Sequence, residues 1–202
     1  LPHPVDPITG MVLARPEEIH FLNWTRKVQP HHILDGSDKT RQRAEQVVRR
    51  YSSESWHVEV DGAMKKRFQI DKKIALDAWG LYILAETTGL DILKKLDMVF
   101  VPHMTVIQLL DDLAKNGNDK VREILDYISS EPNIRLQSAG FKAQMPVRNA
   151  VERYSETVAA VAVGKEQDVL IVLGDPKLAP QLVERYRHVI LRVDELETLL
   201  GA

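Results

Sequence analysis

A chain of 202 residues with 44% apolar and 28% charged side chains has the composition of a globular protein with one good-sized core, so disordered and fibrous classes are excluded. The absence of cysteine excludes disulfides, thiolate zinc sites, iron–sulfur ligation and a cysteine nucleophile, and no apolar run suits a signal peptide or a membrane helix, so a cytoplasmic protein is expected. The formal charge of -2 is unevenly divided: residues 1–73 hold 13 Lys and Arg against 10 Asp and Glu, and residues 74–202 hold 14 against 19, a pattern that fits a basic nucleic-acid contact beside an acidic metal site and equally fits ordinary solvated surface.

The opening LPHPVDPITG, with three prolines, reads as an extended arm. Pro16 then opens a short helix carrying Glu17 and Glu18 in its first turn, and Asp38 caps a second over residues 39–51. SWHVEV and KRFQI alternate like two strands about an Asp61-Gly62 turn. Residues 1–73 thus form a small mixed appendage or connector. Its arginines Arg41, Arg43, Arg49 and Arg50, with Lys65, Lys66 and Arg67 in the next turn region and Trp56 and Phe68 nearby, suit phosphate contact and base stacking, although Glu45, Glu54 and Glu59 dilute the patch. The His31-His32 pair with Asp35 and Asp38 matches no dependable zinc spacing.

From residue 74 to 202 the pattern is that of one α/β domain. Ile74–Leu76 is a short strand ending in Asp77, and Trp79 to Leu96 is helical with a break at Thr88-Gly89. Met98–Val101 is a second strand closed by Pro102, followed by helices over 104–115 and 118–130 and a third strand over 133–136. A polar loop over 137–145 leads to one long helix, 146–164, with Pro146 at its start and Gly164 at its end. VLIVL at 169–173 is the fourth strand, 178–186 a helix, 189–193 a fifth strand and 194–200 a last helix. Strands that do not alternate and are separated by helices are parallel and covered on both faces, which predicts a three-layer α/β/α architecture with a central parallel sheet.

Ligands of such sheets sit beyond the carboxyl ends of the strands, where strand order reverses. Asp77 ends the first strand and Asp175 the fourth, and right-handed crossovers bring both ends to one rim. Two carboxylates buried together call for a cation, Mg²⁺ or Mn²⁺. The plainer reading is that Asp77 caps the next helix and Asp175 fixes a turn before Pro176. Trp79 supports the strand-to-helix corner, and His103, directly after the second strand, suits capping or substrate contact. Gly174 belongs to no phosphate-binding glycine motif, and no GxSxG is present.

IALDAWGLYIL resembles the opening of PIN domains, VFVPHMTVIQLLDDLAK their second strand and next helix, and RYSETVAAVAVGKEQDVLIVLGDPKLA their carboxyl half, so that the likeness covers about residues 72–193. The resemblance implies a metal-dependent endoribonuclease that hydrolyses phosphodiester bonds in RNA or other single-stranded nucleic acid with Mg²⁺ or Mn²⁺. It assigns the first family aspartate to Asp77, the late strand-end aspartate to Asp175, and the acid near the long helix's start to Glu156, where the family has the shorter aspartate. The usual helix glutamate falls on Gln108, a departure that removes one charge. Asp111 and Asp112 lie one turn further along, and Asp111 is the preferred replacement as a metal ligand, an exposed Asp-Asp pair being the plainer reading. Arg148, Glu152 and Glu156 at i,i+4 spacing form either a metal-edge network or a surface series. The rival expectation is a catalytically weakened PIN-like module that binds RNA or serves protein assembly. The chain opens at Leu1, as a module of a larger bacterial protein would, with a protein partner or a fused helical-repeat domain expected beside it and no membrane involved. A phosphatase-like or receiver-like sheet protein also ends its first strand in aspartate.

Overall fold

The computed structural model describes residues 60–201 apart from 118, 152–154, 176 and 177. The expected arm, the first two helices, the SWHVEV strand save Val60, the histidine pair and Arg41, Arg43, Arg49, Arg50, Trp56 and Glu152 lie outside the described residues, as does the side chain of Asp112.

Five strands, β1 (Lys73–Leu76), β2 (Met98–Pro102), β3 (Ile134–Gln137), β4 (Leu170–Leu173) and β5 (Ile190–Arg192), form one sheet in the order β3-β2-β1-β4-β5. Every pairing is parallel, with Ile74 beside Val99 on one flank and beside Leu170 on the other. Alternate residues of each strand feed opposite faces, which is why the apolar runs need no polar alternation. Ile74, Leu76, Val99, Val101 and Val172 face one core, and Ala75, Phe100, Ile171 and Leu173 face the other.

The first core is covered by α2 (Ala78–Glu86), a 3-10 turn (Leu90–Lys95), α3 (His103–Asn116), α4 (Asp119–Ser130) and α8 (Val193–Leu199). The second is covered by α5 (Phe141–Arg148), α6 (Glu156–Gln167) and α7 (Leu178–Tyr186). The result is the three-layer α/β/α arrangement with a central parallel sheet. Among the described residues no helix is long and apolar enough to cross a membrane.

KRFQI is not a strand. It lies in α1 (Gly62–Asp71), where Lys65, Lys66 and Arg67 are helical rather than turn residues. Asp61, expected in a hairpin turn, accepts from the Ala63 amide at 3.2 Å and so caps this helix, which ends at Lys72 in the left-handed region with φ 44°. Met64 and Phe68, four residues apart, share one helical face, and Phe68 is buried in the core that holds Ile74 and Leu76, whereas Ile70, which alternates with it, is exposed. Arg67 pairs with Asp168, just before β4, and so stands at the amino end of that strand.

The single helix expected over 146–164 is two helices, and the polar loop over 137–145 already contains the start of the first. Pro146 falls inside α5, which ends at Arg148 with Asn149 as its C-cap, rather than opening a helix. Gly164 does not end α6, which runs on to Gln167 with Asp168 as its left-handed cap. The glycine serves close packing instead: a Cβ there would fall 2.2 Å from Ile171 Cγ1 and 3.3 Å from Ala75 Cβ. Because Arg148 and Glu156 belong to different helices, the i,i+4 face drawn through Arg148, Glu152 and Glu156 does not exist.

Candidate active site

Strand order reverses between β1 and β4, which pair directly, and the acids that follow them meet there. Asp77 ends β1 and is the N-cap of α2. Its Oδ1 accepts from the Gly80 amide at 2.7 Å and the Gly174 amide at 3.0 Å. Its Oδ2 accepts from the Asp175 amide at 3.2 Å and lies 3.1 Å from Thr157 Oγ1. Three backbone amides and a shared hydroxyl thus surround the two oxygens of this carboxylate. Capping and convergence are therefore both true of Asp77: the same side chain starts a helix and stitches two strand ends.

Gly174 makes that approach possible. A Cβ on it would stand 2.6 Å from the Gly80 nitrogen and 2.6 Å from the Trp79 carbonyl carbon, both backbone atoms that cannot swing aside. The short Gly174-Asp175 step after β4 thus lies against the first turn of α2.

Glu156 enters from the opposite core as the first residue of α6, after the N-cap Ser155. Its Oε2 accepts from the Ala78 amide at 3.0 Å and from Thr105 Oγ1 at 2.7 Å, while Oε1 lies 3.2 Å from Thr157 Oγ1. Asp175 accepts from the Leu178 amide through Oδ1 at 3.0 Å, which caps α7, and its Oδ2 lies 3.4 Å from the same Thr157 oxygen. Three carboxylates from β1, α6 and the end of β4 thus surround one hydroxyl.

Asp77 and Thr157 have no exposed surface and Glu156 is 3% exposed, whereas Asp175 is half-buried. Burial, then the charge of Asp175, pushes the Asp77 carboxyl up to about 7 against the pull of its amide donors. Burial, then the charge of Asp77, raises Glu156 well above the usual carboxylate range, although the Ala78 amide and Thr105 hydroxyl oppose the rise. With no cation present the cluster retains protons near neutral pH.

The remaining sequence candidates lie on α3. Gln108 is three residues beyond Thr105, the hydroxyl that holds Glu156, and so stands one turn along nearly the same face; it is half-buried. Asp111 bonds Lys115 Nζ at 3.0 Å, with 35% of its side chain exposed. His103 starts α3 and its Nδ1 lies 2.7 Å from the buried Ser138 Oγ. Sequence reasoning named Asp77, Glu156 and Asp175 but missed Thr105 and Thr157. The available signal for Thr157 was its place directly after Glu156 in the first turn of a helix, where a hydroxyl has few backbone carbonyls to bond.

All the side-chain donors at this centre are hard oxygens, which suit Mg²⁺ or Mn²⁺ better than softer metals, and mutual repulsion among the acids is what a cation relieves. The present arrangement is centred on the hydroxyl, with one oxygen of each carboxylate at 3.1, 3.2 and 3.4 Å from Thr157 Oγ1. Accordingly, among the described residues no group of three His, Cys, Asp or Glu side chains is already set to hold a metal ion. The donor chemistry fits such an ion. No protein-family model matches the chain, and no curated protein matches it.

Proposed function

We propose that this chain carries a PIN-like, metal-dependent ribonuclease domain that hydrolyses phosphodiester bonds in RNA, with single-stranded nucleic acid as its partner. The observation that carries this reading is the convergence of Asp77, Glu156 and Asp175, from three separate elements, at the point where strand order reverses. A fold gains nothing in stability from burying acids against one another, so their assembly is a sign of chemistry.

Asp77, Glu156 and Asp175 would hold Mg²⁺ or Mn²⁺, with Gln108 through its carbonyl oxygen or Asp111 through its carboxylate completing the set. A divalent ion bound there supplies polarisation of the phosphodiester and a lowered pKa for an attacking water. The chain's own contribution is preorganisation. The Gly80 and Gly174 amides fix the Asp77 plane, and Thr105 with the Ala78 amide fixes Glu156. Asp175, the most exposed of the three, is the group placed to orient a water on the open side.

One reading from a different class has specific support: a weakened PIN-like module that binds RNA or assembles with a protein without cleaving. The neutral Gln108 favours it, since hard cations owe affinity to ligand charge, and the three amides already on Asp77 compete with an ion for its oxygens. Titrating Mn²⁺ into the native chain and into an Asp77→Asn, Asp175→Asn double variant separates the two, with heat of binding and cleavage of generic single-stranded RNA as readouts. Binding and cleavage lost together in the variant establish the enzyme. Binding without turnover establishes the weakened module, and no binding in either protein ends both metal readings.

A further inference from the structure

We infer that Thr157 is a positioning residue of the proposed metal centre: its hydroxyl sets the inward aim of the three carboxylates, and Mn²⁺ affinity depends on it. The inference rests on the metal reading of Asp77, Glu156 and Asp175 given above.

Thr157 Oγ1 stands 3.1 Å from Asp77 Oδ2, 3.2 Å from Glu156 Oε1 and 3.4 Å from Asp175 Oδ2, and the residue has no exposed surface. The backbone amides at the site act differently. Those of Gly80, Gly174 and Asp175 bond Asp77, that of Ala78 bonds Glu156, and that of Leu178 bonds Asp175, each serving one carboxylate. Thr157 reaches all three and thereby links β1, α6 and the step after β4.

A hydroxyl carries one proton, so it donates to one of these acids at a time, and its oxygen accepts only from a neighbouring carboxyl that keeps its own proton. Satisfying the acids is therefore not a sufficient account of its position. What the position does is keep one oxygen of each acid turned toward a common point, with Asp175 Oδ2 facing the hydroxyl while its Oδ1 stays on the Leu178 amide, against mutual repulsion of the acids. A partner that orients metal-binding side chains in this way typically accounts for about 10-fold to 100-fold in metal affinity.

The test compares side chains that differ by a hydroxyl in the full chain: Thr157→Val, which keeps the shape and replaces the hydroxyl by a methyl, and Thr157→Ser, which keeps the hydroxyl. Mn²⁺ binding is followed by calorimetry and by the electron paramagnetic resonance signal of free Mn²⁺, with circular dichroism to verify the fold. Thr157→Val is expected to lose on the order of 10-fold or more in Mn²⁺ affinity and Thr157→Ser to stay within about 3-fold of native. Should the valine variant not fold, Thr157→Ala against Thr157→Ser gives the same comparison. A valine or alanine variant that folds and binds Mn²⁺ as tightly as native, or more tightly, overturns the role of Thr157 and leaves the metal reading standing. A native chain that binds no Mn²⁺ overturns the metal reading itself, and this inference with it.

Discussion

The Gly174 amide donates to Asp77 Oδ1 at 3.0 Å, and that bond joins the ends of β4 and β1 across 97 residues of sequence. It depends on a backbone-to-backbone approach that admits no side chain. Gly174→Ala would place a Cβ 2.6 Å from two backbone atoms of Trp79 and Gly80, so the turn into α2 must shift. The expected loss is about 1–3 kcal/mol of stability, read from urea denaturation, together with weaker Mn²⁺ binding because Asp77 moves with the turn. An alanine variant as stable as native would show that this seam is not tight.

Stability of the metal-free protein should fall as pH rises through the neutral range. Asp77 titrates near 7 in the folded state and near 4 when unfolded, so between those values the native chain holds more protons than the unfolded one. The slope of unfolding free energy against pH is then negative: stability is fully present below about pH 4 for this group and is lost by the time pH passes about 7, by on the order of a few kcal/mol. Glu156, raised in the same direction, adds to the fall. Melting temperatures over pH 5 to pH 8 check this, and saturating Mn²⁺ should remove most of the slope.

Glu156→Gln should raise stability while removing function. The amide oxygen still accepts from Ala78 and Thr105, and a neutral side chain removes the cost of holding this carboxyl protonated in the fold when the unfolded chain would ionise it. A gain of about 1–2 kcal/mol at pH 8 in metal-free buffer is expected, with Mn²⁺-dependent cleavage down by roughly 100-fold or more. Opposite changes in stability and activity would mark the acid as functional rather than structural.

Gln108→Glu is expected to restore charge to the site. The residue follows Thr105 by one helical turn and is half-buried, so a carboxylate there adds to the acids around Thr157. Mn²⁺ affinity should rise by roughly 10-fold by calorimetry, and stability without metal should drop as a further acid joins the cluster. An unchanged affinity would show that α3 does not present this position to the centre.

Much of the fold was legible because burial leaves a periodic mark. The run over 169–173 reads as a strand covered on both faces, and β4 is buried at every position. Asp77 and Asp175 were legible as strand-end residues for the same reason. Elements without a strong mark were misread. In KRFQI the alternation of Phe68 and Ile70 fits a strand, but the segment is helical, so that Phe68 enters the core and Ile70, two residues on, is 78% exposed. Phe141 and Lys142 open a helix that sequence alone reads as loop, since a short helix half in solvent has few apolar positions to repeat.

What the sequence by itself determined is the set of helices and strands with strong apolar periods, the parallel layered architecture that follows from them, and the identity of acids that end strands. Only the tertiary structure decided that Thr157 Oγ1 would face Asp77, Glu156 and Asp175 together, that Gly174 would lie against Gly80, and that Gly164 would sit within a helix rather than end it. The reason is physical: local pattern records which side of an element is buried, whereas contacts between residues 80 or 97 positions apart follow from how helices pack on a twisted sheet.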